Sequence, residues 1–254
     1  MAKTARRPLI VAHRGGSPDD VDNSLAAFEH ALVVGADLIE CDLRRSAEGT
    51  IVLYHDASVA GRKLSSLTVP EIRAIIPTLL TLEELLDRLV DAGPTGRLVL
   101  DLKERGIERL LIPLLEERPG LVPNVLVSTV HSMSLRRLSQ RYPEMRLALS
   151  RGHLISSPRP RGLQGIMAKM LRPVFPVWLS LQLRWCRATA VAMQYHLIDP
   201  TAVQRYHRLG CRAYCWTVDD CSTAQRMADA GVDMIATNVP RELLRCLGRE
   251  DPNR

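Results

Sequence analysis

Short apolar runs and helix-like stretches alternate along almost the whole of this 254-residue chain. The strand-like runs are Leu9–Ala12, Asp37–Leu43, Ile51–Tyr54, Leu98–Leu102, Val125–Thr129, Leu147–Leu149, Ala188–Met193, Arg212–Val218 and Met234–Thr237. Strands that are apolar without a polar alternate face are buried on both sides, as in parallel sheets covered by crossover helices. The runs at 37–43 and 51–54 are separated only by the polar turn 45–49, which is too short for a helical crossover. They read as a hairpin, and eight crossover-linked strands remain. Eight is the strand number of a TIM (β/α)8 barrel, and such barrels typically run to about 250 residues. The expected fold is therefore an α/β TIM barrel, a single domain over residues 1–254, with a small hairpin extension after strand 2.

Helix ends support the same reading. Thr81-x-x-Glu84 is a capping-box pattern opening Leu82–Val90, with Gly93 as a stop. Ser222-x-x-Gln225 reads as a second capping box before a helix that ends at Gly231. Asn23 or Ser24 can cap a helix over Leu25–Val34. One segment breaks the rhythm: residues 151–187 are too long for a plain βα connection and read as an inserted loop with a helix or two. Its longest charge-free stretch, Pro173–Leu183, spans 11 residues, against the ~20 that a membrane span needs.

Composition is ordinary for a globular protein, 46% hydrophobic and 24% charged, which excludes a disordered or fibrous chain. The net charge of +6 raises nucleic acid or anionic membrane as partners. Its distribution decides between them. Between Met145 and Ile198 there are eight basic residues and no acidic one, leaving 26 basic against 28 acidic elsewhere. The barrel itself is not basic, so a nucleic-acid partner is not expected. The insert carries the charge together with apolar residues such as Met167, Phe175, Trp178 and Leu181. That mixture suits an interfacial helix on anionic lipid, a lid over the barrel, or a contact between subunits. The six cysteines form no C-x-x-C pair, and the apolar run after the basic N-terminus is only four residues long. A reduced, cytoplasmic protein is expected, with peripheral membrane contact through the insert.

The polar residues at strand ends carry the chemistry. His13-Arg14-Gly15-Gly16 follows the first strand directly, at the end of a barrel strand where active sites lie. An imidazole beside a guanidinium suits cleavage of a phosphate ester, and a purely structural role competes with that reading. In the second strand, alternation puts Glu40 and Asp42 on one face. Two buried carboxylates repel unless a cation or an arginine lies between them, and an oxygen-only set favours Mg2+ or Ca2+. The hairpin returns to His55-Asp56, and the next strand ends in Asp101-Leu102-Lys103. Asp101 is a candidate third ligand. Lys103, one of only four lysines, is a candidate phosphate contact or a strand-end surface charge.

Taken together, these pieces resemble the glycerophosphodiester phosphodiesterase family. The resemblance runs through His13-Arg14-Gly15, Asp22-Asn23-Ser24, Gly35-Ala36-Asp37-x-x-Glu40-x-Asp42 and Gly49-x-x-Val52-x-x-His55-Asp56. It continues in the family's order with Asp101-x-Lys103, Cys215-Trp216-Thr217-Val218 and Gly231-Val232-Asp233-Met234-Ile235-Ala236-Thr237-Asn238-x-Pro240. It implies a TIM barrel that hydrolyses glycerophosphodiesters to an alcohol and glycerol 3-phosphate. It implies His13 and His55 as general acid and base, Glu40, Asp42 and Asp101 as ligands of one divalent cation, and Arg14 and Lys103 as phosphate-holding residues. Trp216 lines the substrate mouth or belongs to the core. The family usually has Glu where this chain has Asp22 and Asp101, so each carboxylate reaches one methylene less far. Two rivals remain: a phospholipase-D-type enzyme acting on lysophospholipids, and a non-catalytic phosphate- or lipid-binding barrel.

Overall fold

The computed structural model describes residues 7–17, 19, 21–91, 97–151 and 175–249. Eight parallel strands close a barrel: β1 (Leu9–Ala12), β2 (Leu38–Arg45), β6 (Leu98–Leu102), β7 (Val125–Thr129), β8 (Arg146–Arg151), β9 (Ala190–Gln194), β10 (Arg212–Trp216) and β11 (Met234–Thr237). β1 pairs with both β11 and β2, which is what closes it. β3 (Ile51–Leu53) lies antiparallel on β2 in the register Leu43↔Leu53, as the short polar turn requires. A second hairpin, β4 (Ser58–Val59) with β5 (Arg62–Lys63), and the short helix α2 (Val69–Arg73) follow it. Val52, Leu64, Leu67 and Ile72 give this extension a small core of its own. The β4–β5 hairpin is invisible in the sequence because two-residue strands show no periodicity, whereas α2 does carry a local signal, the Thr68-x-x-Glu71 capping box that opens it.

The remaining helices are α1 (Leu25–Val33), α3 (Leu82–Asp91), α4 (Ile107–Glu117), α5 (Ser132–Arg141), α6 (Phe175–Cys186), α7 (Pro200–Arg208), α8 (Cys221–Asp229) and α9 (Pro240–Cys246). Ser24 caps α1 by accepting from the Ala27 N–H, and the expected capping box of Thr81 and Glu84 opens α3. The stop expected at Gly93 lies outside the described residues. α8 departs from expectation. Asp220, not Ser222, caps it, because the Asp220 carboxylate accepts from both the Thr223 N–H and the Ser222 hydroxyl. Of the insert, α6 is described, and residues 152–174 lie outside the described residues. No helix among the described residues is long and apolar enough to cross a membrane.

Strand alternation divides the core in two. Outward residues such as Ile10, Cys41, Leu100 and Cys215 pack against the helices. Inward residues Val11, Leu38, Val99, Leu126, Ala148 and Ala192 fill the barrel with others of their kind. Four alternate strands contribute to each layer of a barrel interior. Tyr214, unexplained by the sequence, points inward and occupies the room left by Ala148, Ala192 and Ala236. Arg212, two residues earlier, lies on the same face at the barrel's amino end.

One expectation about cysteine is corrected. Cys221, at the start of α8, and Cys246, at the end of α9, are joined in a disulfide with their Cα atoms 5.6 Å apart. Packing of α8 against α9 brings together residues 25 positions apart, which no spacing pattern encodes. Cys41, Cys186, Cys211 and Cys215 are buried free thiols.

Candidate active site

The site is built where β1, β2 and β6 end. β2 and β6 run parallel with Asp42 opposite Asp101, so Glu40, Asp42 and Asp101 turn into the same mouth. Their carboxylate oxygens come within 4.8 Å of one another. Glu40 and Asp42 are buried, and Asp101 is partly open.

After β1 the chain makes a tight turn, His13–Gly15, that brings Arg14 across the same carboxylates. The Arg14 N–H donates to Glu40 Oε2 at 2.9 Å, and the guanidinium lies 3.1 Å from Asp42 Oδ2. Arg14 pays for this with a left-handed backbone, φ 54°. The turn also requires its glycines. A Cβ on Gly15, at φ +95°, would lie 2.5 Å from the Ala27 Cβ, and one on Gly16 would meet Pro240 at 2.8 Å. Asp22 fixes the far end of Arg14 at 3.0 Å, so the shortened acidic residue is a guanidinium partner here.

Lys103 reaches back from the end of β6 to Asp42 Oδ1 at 2.7 Å and bonds Asp101 as well. Asn23 exchanges two hydrogen bonds with Asp42, donating from Nδ2 to Oδ2 and accepting the backbone N–H on Oδ1, both at 3.0 Å. Burial would raise the Asp42 carboxyl, but Lys103 and Arg14 hold it at about 2. Burial and the neighbouring Asp42 push Glu40 well above the usual carboxylate range. Lys103 is likewise disfavoured by burial, yet Asp101, Asp42 and Glu40 keep it protonated above the ordinary lysine range.

A divalent cation suits this donor set. Asp42 Oδ1 is buried with no hydrogen-bond donor aligned on it, despite the nearby lysine. Glu40 is a carboxylate whose ionisation is opposed by its surroundings. Three oxygen donors converging from two strands are what hard cations take. Glu40, Asp42 and Asp101 could therefore hold one.

His13 stands beside this cluster, its Nδ1 2.8 Å from Asn238 Oδ1. Asn238 is in turn fixed by Asp219, which accepts from its Nδ2 at 2.7 Å and its backbone N–H at 2.8 Å. Burial lowers the His13 pKa below 6.5, the bond to Asn238 opposing it. His55 follows directly on the Tyr54 N–H to Asp42 carbonyl bond, which carries it to the same edge of the barrel. Its side chain is 46% exposed and bonds Asp56 at 2.8 Å. Among the described residues no hydrogen bond or ion pair joins the His55 ring to the carboxylates. Trp216 ends β10 on the barrel's inner face, partly buried against the inner core, so it shares both expected characters.

The glycerophosphoryl diester phosphodiesterase family model matches residues 13–242, nearly the whole barrel. The chain belongs to that family. With the family comes the reaction class, phosphoric diester hydrolysis. A glycerophosphodiester phosphodiesterase of Caldanaerobacter subterraneus subsp. tengcongensis is 28% identical over 260 residues, covering 94% of this chain and 97% of that one. A glycerophosphodiester phosphodiesterase structure from Parabacteroides distasonis superimposes with a TM-score of 0.77 at 23% identity, over 95% of this chain and 97% of that chain. An Oleispira antarctica phosphodiesterase, solved with the product sn-glycerol-3-phosphate, has a TM-score of 0.74 at 19% identity, with 95% and 97% coverage.

Within this family member, the sequence expectations for Glu40, Asp42, Asp101, Arg14 and Lys103 converge on one cluster, with His13 at its side. Asn23, Asp219 and Asn238 received no site role from sequence. The signal available was their position, immediately after strand ends or before the first helix, where polar side chains face the mouth.

Proposed function

We propose that this chain hydrolyses glycerophosphodiesters to an alcohol and glycerol 3-phosphate with the help of one divalent cation. The observation that carries this reading is the convergence of three carboxylates, Arg14, Lys103 and His13 on one barrel mouth. The named activity of the 28% identical relative and the glycerol-3-phosphate product bound to the Oleispira antarctica protein support the substrate class.

In this reading Glu40, Asp42 and Asp101 hold the cation, Mg2+ or Ca2+ by the hardness of the oxygen set. Bound there, the cation supplies Lewis-acid polarisation of the phosphoryl group. Arg14 and Lys103 hold phosphoryl oxygens, and their positive charge stabilises the negative charge that builds up in the transition state. Burial favours the neutral imidazole of His13, with Nδ1 bonded to Asn238 and Nε2 left for proton transfer. His55, at the edge of the mouth, is the second proton carrier, completing an acid/base pair. Product release from glycerophosphocholine and glycerophosphoethanolamine, with and without chelator, tests this. No metal-dependent turnover of either would overturn it and leave the binding-barrel alternative.

A lysophospholipid substrate and membrane contact are the finer proposal. Their support is α6, which leaves Val177, Trp178, Leu181 and Trp185 exposed while Leu179 and Leu183 pack inward. Arg151, at the end of β8, stacks over Trp178 and ties that helix to the mouth side of the barrel. Val177→Ser with Leu181→Ser should weaken sedimentation with anionic vesicles and turnover of vesicle-presented lysophospholipid, and spare soluble substrate. Equal loss on both would count against it, and a cyclic phosphate product would favour the phospholipase-D-type reaction. We place the protein in the cytoplasm, in keeping with its four buried thiols. The Cys221–Cys246 disulfide argues the other way, and cell fractionation decides.

A further inference from the structure

The end of the barrel opposite the active site carries a second cluster of charge. β6 is preceded by Arg97, β8 begins with Arg146 and β10 begins with Arg212. These are alternate strands of the barrel. Each arginine lies two residues before an inward residue, Val99, Ala148 and Tyr214 respectively, so each occupies an inward position too. The register places them in one layer. Leu126 pairs with Arg146 and Leu98 with Val125, so Arg97 sits two residues lower against β7 than Arg146 does. Ala190 pairs with both Ala148 and Arg212, which repeats the two-residue step from β8 to β10. That stagger is the shear of a closed barrel, and it makes residues so related level with one another. Leu9 of β1 completes the layer. Three of the four lowest inward positions are therefore arginine.

The four line a cavity of about 210 Å³ that opens at the amino end of the barrel. It is several times the ~30 Å³ share of one water. Among the described residues no carboxylate lines it. Two acidic residues at that end are engaged elsewhere, Asp37 with Arg249 and the Ile10 N–H and Asp233 with His207 and the Ala213 N–H, while Glu144, exposed in the turn before β8, is not among the cavity's lining residues. Among the described residues no ion pair is made by Arg97, Arg146 or Arg212. Three arginines, each of them exposed, thus line by barrel symmetry one solvent-open cavity above which the barrel is apolar, formed by Leu38, Leu126, Ala190 and Met234.

We propose that this cavity is a binding site for a dianionic phosphoryl group, distinct from the active site at the other end of the barrel. Guanidinium forks match the oxygens of a phosphoryl group, and an anion removes the mutual repulsion of the three cations. Inorganic phosphate and the phosphate of a small monoester share this chemistry. The cavity is separated from the mouth by the packed layers that include Val99 and Tyr214, so its ligand does not reach the catalytic residues directly.

The test uses full-length protein in chelator, carrying Lys103→Gln to weaken phosphate binding at the mouth. Inorganic phosphate and glycerol 3-phosphate are titrated at constant ionic strength by calorimetry and thermal melting. One-to-one saturable binding and a raised Tm are expected. Adding Arg97→Gln, Arg146→Gln and Arg212→Gln should weaken binding at least about tenfold and abolish the rise in Tm. Without phosphate the triple variant should melt no lower than its parent, because like charges are removed. That separates ligand loss from damage to the fold, and each single substitution gives the same reading if the triple variant does not fold. Binding of both anions, or of either alone, supports the site and identifies the source. No saturable binding, or binding unaffected by the arginine substitutions, overturns it.

Discussion

His13 and Asn238 are joined by a 2.8 Å hydrogen bond whose direction is set by a third residue. Asp219 can only accept, so Asn238 must give it the Nδ2 hydrogens and turn Oδ1 toward His13. His13 then carries its proton on Nδ1 and leaves Nε2 unprotonated for chemistry. Asn238→Ala should lower kcat by roughly 10–100-fold, the scale of a disturbed general acid/base, with a smaller effect on KM. Asn238→Asp should shift the His13 limb of the pH–rate profile upward, since a carboxylate favours the imidazolium. Unchanged pH profiles in both variants would separate Asn238 from His13.

The carboxylate cluster makes a metal prediction with a readout independent of turnover. Titrating chelated protein with Mg2+, Mn2+ or Ca2+ should raise Tm for the native chain and much less for Asp101→Ala. The same variant should lose most activity, whereas excess metal should restore part of it if only affinity has fallen. An undiminished metal response in Asp101→Ala would remove this residue from the ligand set.

The turn that delivers Arg14 is intolerant of a methyl group. Gly15→Ala would put a Cβ 2.5 Å from that of Ala27 on a backbone at φ +95°, so helix α1 and the turn must separate. A loss of roughly 2–4 kcal/mol in urea unfolding is expected from combined strain and overpacking, with activity falling too. A variant as stable and active as the native chain would show that the turn has another conformation available.

Glu108, fully buried in α4, bonds Arg137 and accepts the Gly106 N–H at 3.0 Å. Burial would raise its carboxyl, but Arg137 and Ser134 hold it below the ordinary 4.5. A carboxyl lowered on folding contributes stability that is present above its unfolded pKa and lost as pH falls through the folded one. Glu108→Gln should therefore cost stability at pH 7, by roughly 1–2 kcal/mol for losing a charge-assisted bond to a half-exposed arginine. The difference from the native chain should narrow on going from about pH 5 to pH 3. Urea midpoints across that range measure it, and a constant difference would show the charge to be irrelevant.

Much of the barrel was legible because each strand is a chain-local pattern. Leu9–Ala12, Leu98–Leu102, Val125–Thr129 and Met234–Thr237 have the same bounds in sequence and structure. The hairpin after β2 was legible from one short turn. The cap of α8 lies two residues before the one the sequence pattern favours, because Ser222-x-x-Gln225 and Asp220-x-x-Thr223 compete locally and the stronger acceptor, the Asp220 carboxylate, wins. The β4–β5 hairpin left no periodic signal.

The sequence by itself determined the alternation that makes a closed parallel barrel, and which residues stand at strand ends. It also determined the residue types available there: two carboxylates on one face of β2, Asp101 and Lys103 on one face of β6, and His13 with Arg14 after β1. Tertiary structure decided how these are partnered. Strand register and barrel closure set Asp42 opposite Asp101, put Asp219 and Asn238 behind His13 and gathered Arg97, Arg146 and Arg212 into one layer, and packing of α8 on α9 paired Cys221 with Cys246. The reason is range. A strand's face is fixed by a period of two residues, whereas a partner across the barrel is fixed by stagger and closure, which no local stretch of sequence contains.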